Sequence, residues 1–333
     1  MQRGVGTWSS PAFLAAATEW IDEVLAKRGS ERSGPAELTR VRHWGAIVRT
    51  ASSEGTVWLK APADATLFEL GIYDVLSEAA PDRILDPLAI DVGRGWVLLP
   101  DGGEPIGERL SGSDRAEAMV AAMPRYAELQ IALIPHADEL VARGVDDMRA
   151  ARMPERFDEA VEAIRARFDG DTPGSDREGL ERIETERDAY AALCRELEGA
   201  VVPASLDHND LHFENVLFGP GGPEEARFYD WGDAVVAHPF SSQLMVSFNA
   251  GDDAARIQEL RDAYLRPFAD YASHDALVAE LELACRVGKV ARAMTWLRAT
   301  TAITPGDDTN DYFRRAPLES LAGVLDEQWY GRT

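Results

Sequence analysis

Leu206-Asp207-His208-Asn209-Asp210-Leu211-His212-Phe213-Glu214-Asn215-Val216-Leu217-Phe218, followed fifteen residues after Asn215 by Asp230-Trp231-Gly232, decides the reading of this chain. Asp210 and Asn215 fall in a loop just ahead of a strand over Val216–Phe218. A second strand, Ala226–Tyr229, follows the turn Gly219-Pro220-Gly221-Gly222-Pro223 and ends at Asp230. Antiparallel pairing of these strands brings the loop and Asp230 together. The oxygens of Asn215 and Asp230 then suit a hard cation such as Mg²⁺, which takes few protein ligands and completes its shell with phosphates. Asp210 lies beside them, free to accept a hydroxyl proton.

Upstream of this stretch the hydrophobic period changes twice. Residues 10–28 read as a helix, with Ser10 as cap, Pro11 in the first turn, and Phe13, Leu14, Trp20, Ile21, Val24 and Leu25 at helical spacing. Strands follow over 37–43, 46–51 and 56–61, the last two joined by Ser52-Ser53-Glu54-Gly55. A helix over about 64–79 stops before Pro81, and two short strands, 88–92 and 95–99, flank Gly93-Arg94. Pro100-Asp101-Gly102-Gly103 reads as a connector between two units. Beyond residue 112 the pattern is mainly helical, over about 113–135, 136–143, 154–168, 176–199, 239–249, 252–268, 273–300 and 310–328.

Lys and Arg total 34 and Asp and Glu 58, a formal charge of −24. Phosphate backbones demand clustered Lys and Arg, so this balance argues against nucleic acid and against an anionic membrane surface. It favours a cationic ligand or a simple soluble acidic surface. Cys194 and Cys285 are too few for a disulfide framework or a multi-cysteine zinc site, which points to a reducing, cytoplasmic setting. The early run Phe13–Ala17 is cut short by Glu19, Asp22 and Glu23, too soon for a signal peptide, and no window approaches a spanning helix.

Only Lys27, Lys60 and Lys289 are lysines among the 34 basic residues. A Lys inside an apolar strand therefore invites a chemical reason, and Lys60 ends the run Val57-Trp58-Leu59-Lys60. On the 64–79 helix Glu69 borders the apolar stripe of Phe68, Ile72, Val75 and Leu76, whereas Glu78 shares a face with Asp74. A partner for Lys60 has to face inward, which selects Glu69. Trp58 lies two residues from Lys60, on the same strand face, and either approaches a nucleotide base or packs in the core. At the connector Pro100 has no N–H, so Leu99 or Asp101 must donate if a base docks there.

The Asp-to-Asn spacing of five and the later Asp resemble the catalytic loop and Asp-Phe-Gly set of kinases. Val57-Trp58-Leu59-Lys60 resembles the Val-Ala-Ile-Lys strand of the same enzymes, in which the lysine holds the α/β-phosphates and pairs with a helix glutamate. More closely, His208-Asn209-Asp210-Leu211-His212 with Asp230-Trp231-Gly232 is similar to the aminoglycoside phosphotransferase and choline-kinase-like family of small-molecule kinases. The resemblance runs from about residue 37 to 300.

The resemblance implies an α+β, bilobal protein-kinase-like fold. Its small antiparallel-sheet N-lobe with the leading helix covers 1–100, and its larger, mainly helical C-lobe with the acceptor site covers 101–333. It implies ATP-dependent phosphorylation of a small-molecule hydroxyl, with GTP open as an alternative donor. Asp210 is then the base, Asn215 and Asp230 the Mg²⁺ ligands, and Lys60 the phosphate contact. His208 bonds backbone near the loop, His212 either touches phosphate or supports the loop, and Asp233 is either a further metal-site residue or a support residue. Asp307, Asp308 and Asp311 would meet an amine-bearing acceptor or else form a solvated loop.

An aminoglycoside or amino sugar is the first acceptor class. A metabolic kinase for choline, a sugar or a hydroxyl amino acid is the alternative, as is a catalytically silent nucleotide-binding regulator. Asn209 stands where protein kinases carry Arg, no Ala-Pro-Glu follows at a suitable distance, and no G-x-G-x-x-G precedes Lys60. These departures argue against a protein kinase and leave a small-molecule kinase.

Overall fold

A computed structural model describes residues 3–170, 172–219, 221–251, 253–301 and 311–327. Ser10 accepts the Phe13 N–H at 3.2 Å and caps the helix Pro11–Lys27. That helix turns Phe13, Ala17, Trp20, Ile21, Val24 and Leu25 inward. Burying each large apolar side chain contributes about 1.5–3 kcal/mol. The surface they meet is one face of a sheet, where Val48, Val57, Leu59, Trp96 and Leu98 join them in a closed core.

The sheet comprises β1 (Glu37–Arg42), β2 (Gly45–Ser52), β3 (Gly55–Pro62), β4 (Ala89–Asp91) and β5 (Trp96–Pro100). Their order is β1-β2-β3-β5-β4, and all neighbours are antiparallel. Side chains alternate across the pleat, so Val57 and Leu59 face the leading helix while Trp58 and Lys60 face the other way. Lys60 lies opposite Ile47 on β2 and Val97 on β5, in the middle of the sheet.

The helix expected over 64–79 begins as a 3₁₀ turn, Asp64–Thr66, and continues as Phe68–Ala79. It shares one continuous core with Val97, Leu99 and the helical remainder of the chain, so the inner face of the sheet packs against the large lobe at β5. The connector after β5 runs against the next lobe. A Cβ on Gly102 would lie 2.3 Å from Leu217 Cδ1, so a side chain here would push Leu217 aside.

The large lobe holds helices Gly112–Leu133, Met153–Ala166, Gly174–Thr185, Arg187–Leu197, Ala254–Leu265 and His274–Ala299. The single helix expected over 176–199 is interrupted at Glu186, with neither Gly nor Pro to mark the break. The one expected over 239–249 opens as the 3₁₀ turn Pro239–Ser242 before the helix Gln243–Ala250. A second sheet also appears. β6 (Asp146–Asp147), β7 (Ser205–Asp207) and β10 (Val235–Ala237) pair in the order β6-β10-β7. β8 (Val216–Gly219) and β9 (Gly222–Phe228) form the expected hairpin. The fold is bilobal and kinase-like, with a small antiparallel sheet above a mainly helical lobe.

Candidate active site

Glu69 occupies the first turn of its helix and is fully buried. Lys60 Nζ lies 2.7 Å from Glu69 Oε1 and 2.6 Å from Oε2. It also lies 2.5 Å from Asp230 Oδ1, so one ammonium bridges two carboxylates. Burial alone would lower the lysine's pKa, but the Asp230 and Glu69 charges outweigh it and the pKa is raised. Burial pushes the Glu69 carboxyl up against the pull of Lys60. Asp230, with a side chain 41% exposed, is held low by Lys60 despite its desolvation. The alternative partner, Glu78, is exposed.

The loop that carries Asp210 hangs from β7. Asp207 is buried, and its Oδ1 accepts the Asn209 N–H at 2.8 Å and the Ser242 hydroxyl. Asn209 then turns through the left-handed region at φ 58. That conformation costs a non-glycine residue on the order of 1 kcal/mol, and here it is clamped from three sides. Its N–H meets Asp207, its Nδ2 donates to Thr295 Oγ1 at 2.6 Å, and its carbonyl accepts from Arg292 Nη1.

Asp210 emerges from this turn with a quarter of its side chain open to solvent. Its Oδ2 lies 3.4 Å from His212 Nε2 and its Oδ1 3.4 Å from Arg292 Nη1. Burial works to raise its pKa, but the His212 hydrogen bond and the Arg292 charge bring it down to about 2. His212 Nδ1 accepts the Glu214 N–H at 3.2 Å, which places the ring proton on Nε2, toward Asp210.

Asn215 is buried, and its Nδ2 donates to the Asp210 carbonyl at 2.9 Å. Val216 pairs with Phe228 across the β8–β9 hairpin, which carries the chain back to Asp230. Asp230 is the second left-handed residue, at φ 66. The only non-glycine residues with positive φ among those described are therefore the two that turn the loops holding Asp210 and Asp230. His208 Nε2 donates to the Tyr229 carbonyl at 2.8 Å, and its ring lies 4.8 Å from that of Trp231. Burial lowers its pKa, so it joins the two loops as a neutral ring.

Asp233 follows the Asp-Trp-Gly turn. Its burial, then the Asp210 charge, push it up to about 6. Trp58 and Leu99 face each other across the β3–β5 ladder, and Asp101 Oδ1 accepts the Gly103 N–H at 3.0 Å. Asp307 and Asp308 lie outside the described residues, and Asp311 opens the last helix, its side chain outside them.

Two residues have no counterpart in the sequence reading. Arg292 and Arg298, both from the helix His274–Ala299, grip the two loops in parallel. Arg292 holds the Asn209 carbonyl and approaches Asp210. Arg298 donates to the Gly232 carbonyl at 3.2 Å and to Asp146 Oδ2 at 2.8 Å, and lies 3.8 Å from Asp233 Oδ1. Their one sequence signal is two arginines within a stretch whose neighbours Val290, Ala291, Ala293 and Leu297 are all apolar.

The residues fit a divalent cation. With Asn215 Nδ2 committed to the Asp210 carbonyl, its amide oxygen is left as an acceptor, and the Asp230 carboxylate is partly open. Among the described residues no three His, Cys, Asp or Glu side chains converge into a metal cage. Two oxygen ligands are the protein share that Mg²⁺ takes when phosphates and water supply the rest.

No family model matches the chain, and no curated protein does. Solved structures do. A choline kinase from Streptococcus pneumoniae shares 12% identity at a TM-score of 0.61, covering 93% of this chain and 99% of that one. A macrolide 2'-phosphotransferase from Brachybacterium faecium shares 15% at 0.57, covering 91% and 98%. A spectinomycin phosphotransferase, solved with ADP and spectinomycin, shares 12% at 0.55, covering 93% and 98%. The chain has the fold of these small-molecule kinases over nearly its whole described length. No helix among the described residues is long and apolar enough to cross a membrane.

Proposed function

We propose that this chain is an ATP-dependent O-phosphotransferase acting on a hydroxyl of a small molecule. The observation that carries the reading is the single ammonium of Lys60 held by both Glu69 and Asp230, beside a loop that presents Asp210 and Asn215. Phosphoryl transfer asks for positioning and charge neutralisation more than covalent chemistry. Lys60 would hold the α/β-phosphates as a point charge, and Glu69 would fix its position. Asn215 and Asp230 would hold Mg²⁺, which when bound offsets the charge of the phosphates.

Asp210 would align the acceptor hydroxyl and take its proton late in the transfer. A pKa near 2 keeps it ionised at all physiological pH, and a late proton transfer needs no stronger base. His208, His212 and Asp233 would support the two loops. Trp58, Leu99 and Asp101 would border the nucleotide base. A cationic acceptor, an aminoglycoside or amino sugar, suits a chain of net charge −24 and is the first class to test. The intact Asp210, Asn215 and Asp230 speak against a silent regulator.

The test is a coupled assay for ADP release with Mg²⁺, ATP or GTP, and a panel of aminoglycosides, amino alcohols and sugars. Acceptor-dependent turnover in the wild type, absent in Asp210→Asn, is expected. Nucleotide binding with no turnover on any acceptor, and none on water, would favour the silent regulator instead.

A further inference from the structure

Resting on the kinase reading, the geometry points to Arg292 as a catalytic residue: its free guanidinium donors bind the oxygens of the phosphoryl group in transit beside Asp210. Arg292 projects from a helix whose adjoining residues, Ala291 and Ala293, are buried, and is itself only 8% exposed. Its Nη1 holds the Asn209 carbonyl and stands 3.4 Å from Asp210 Oδ1. The guanidinium lies over the Trp296 ring at 5.4 Å, a contact that fixes the plane of the fork. Its Nε and Nη2 have no acceptor among the described residues and are not sealed from solvent. A buried arginine with one arm engaged and the others open is a binding group waiting for an anion.

The position follows from the chemistry. A hydroxyl aligned by Asp210 sits about 3–3.5 Å from the phosphorus it attacks. The equatorial oxygens of that phosphoryl group then lie within one guanidinium's reach of Asp210. As the acceptor oxygen bonds to phosphorus, the bond from phosphorus to the bridging oxygen breaks and its electron pair leaves with ADP. The acceptor proton passes to Asp210. Negative charge spreads over three oxygens during this exchange, and a planar fork meets two of them at once. Of the three lysines, Lys60 is held by Glu69 and Asp230, Lys289 by the Gly323 carbonyl, and Lys27 lies exposed at the end of the leading helix. Among described ion pairs, Arg292 is the one arginine that reaches Asp210.

The test compares Mg·ADP alone with Mg·ADP plus aluminium fluoride, which mimics the phosphoryl group in flight, in wild type, Arg292→Lys and Arg292→Met. In the wild type, fluoride is expected to tighten binding by about 100-fold. Both variants should keep Mg·ADP affinity within about 3-fold and lose most of that tightening, because the fork acts only on the group in transit. Melting temperatures accompany each titration, and if Arg292→Met unfolds, Arg292→Lys carries the comparison. Full tightening in Arg292→Lys would overturn the assignment. So would an equal loss of affinity for both complexes, which means that Arg292 only shapes the loop. A wild type that binds no Mg·ADP would overturn the kinase reading itself, and this inference with it.

Discussion

The side-chain amide of Asn215 donates to the backbone carbonyl of Asp210 across 2.9 Å, so the proposed metal ligand and the proposed base are tied within one turn. Neither can shift without moving the other. Asp210→Asn leaves that carbonyl in place and removes only the carboxylate. It should reduce turnover at least about 1,000-fold while nucleotide affinity stays within a few-fold, measured by ADP release and by titration of Mg·ADP. Substantial residual transfer would remove Asp210 from the role of base.

The Lys60 cluster predicts unequal costs for its members. Lys60→Met leaves Glu69 buried without a counter-charge and should lower stability by about 3–5 kcal/mol near pH 8. Burial already raises the Glu69 carboxyl, and a raised folded-state pKa stabilises below the unfolded value and is lost as pH rises. The deficit of Lys60→Met should therefore shrink toward pH 5. Glu69→Gln should cost less, since Lys60 keeps Asp230. Denaturant melts of both variants at pH 5 and 8 decide it, and a deficit independent of pH would contradict the account.

Asp207 provides a second pH test. Burial lifts its carboxyl from an ordinary 3.8 to about 6, with Ser242 and the Asn209 amide pulling the other way. The stability this group contributes below pH 4 is lost as pH rises through 4 to 6, a change on the order of 2–3 kcal/mol. Asp207→Asn retains a carbonyl oxygen for Asn209 and Ser242 and has nothing to ionise. Its melting temperature relative to wild type should climb between pH 4.5 and 7. A flat difference would show that Asp207 titrates normally.

Trp58 shares a strand face with Lys60, and the Arg49 guanidinium lies 5.6 Å from its ring. ATP or GTP should change the intrinsic fluorescence of the protein, and Trp58→Phe should remove most of that change. An unaltered signal in the variant would place the base elsewhere.

The hairpin β8–β9 and the pairing-face choice of Glu69 over Glu78 were legible in the sequence because each rests on a local period. Strands β6, β7 and β10 were not. They are two or three residues long, and their partners lie far away in sequence, so no window shows an alternation. The break at Glu186 carries no Gly or Pro and left no trace either. Arg292 and Arg298 were invisible for a different reason. A lone arginine in a helix is ordinary, and what distinguishes these two is the loop each meets more than sixty residues upstream.

Lys60 belongs to the small sheet and Asp230 to the large lobe, so the cation proposed to hold the nucleotide is also a strut between the lobes. Phosphates drawn to Lys60 would loosen its hold on Asp230 just as that carboxylate turns to a divalent ion. Loading the donor and setting the angle of the jaws would then be a single mechanical event, with no separate trigger needed to coordinate them.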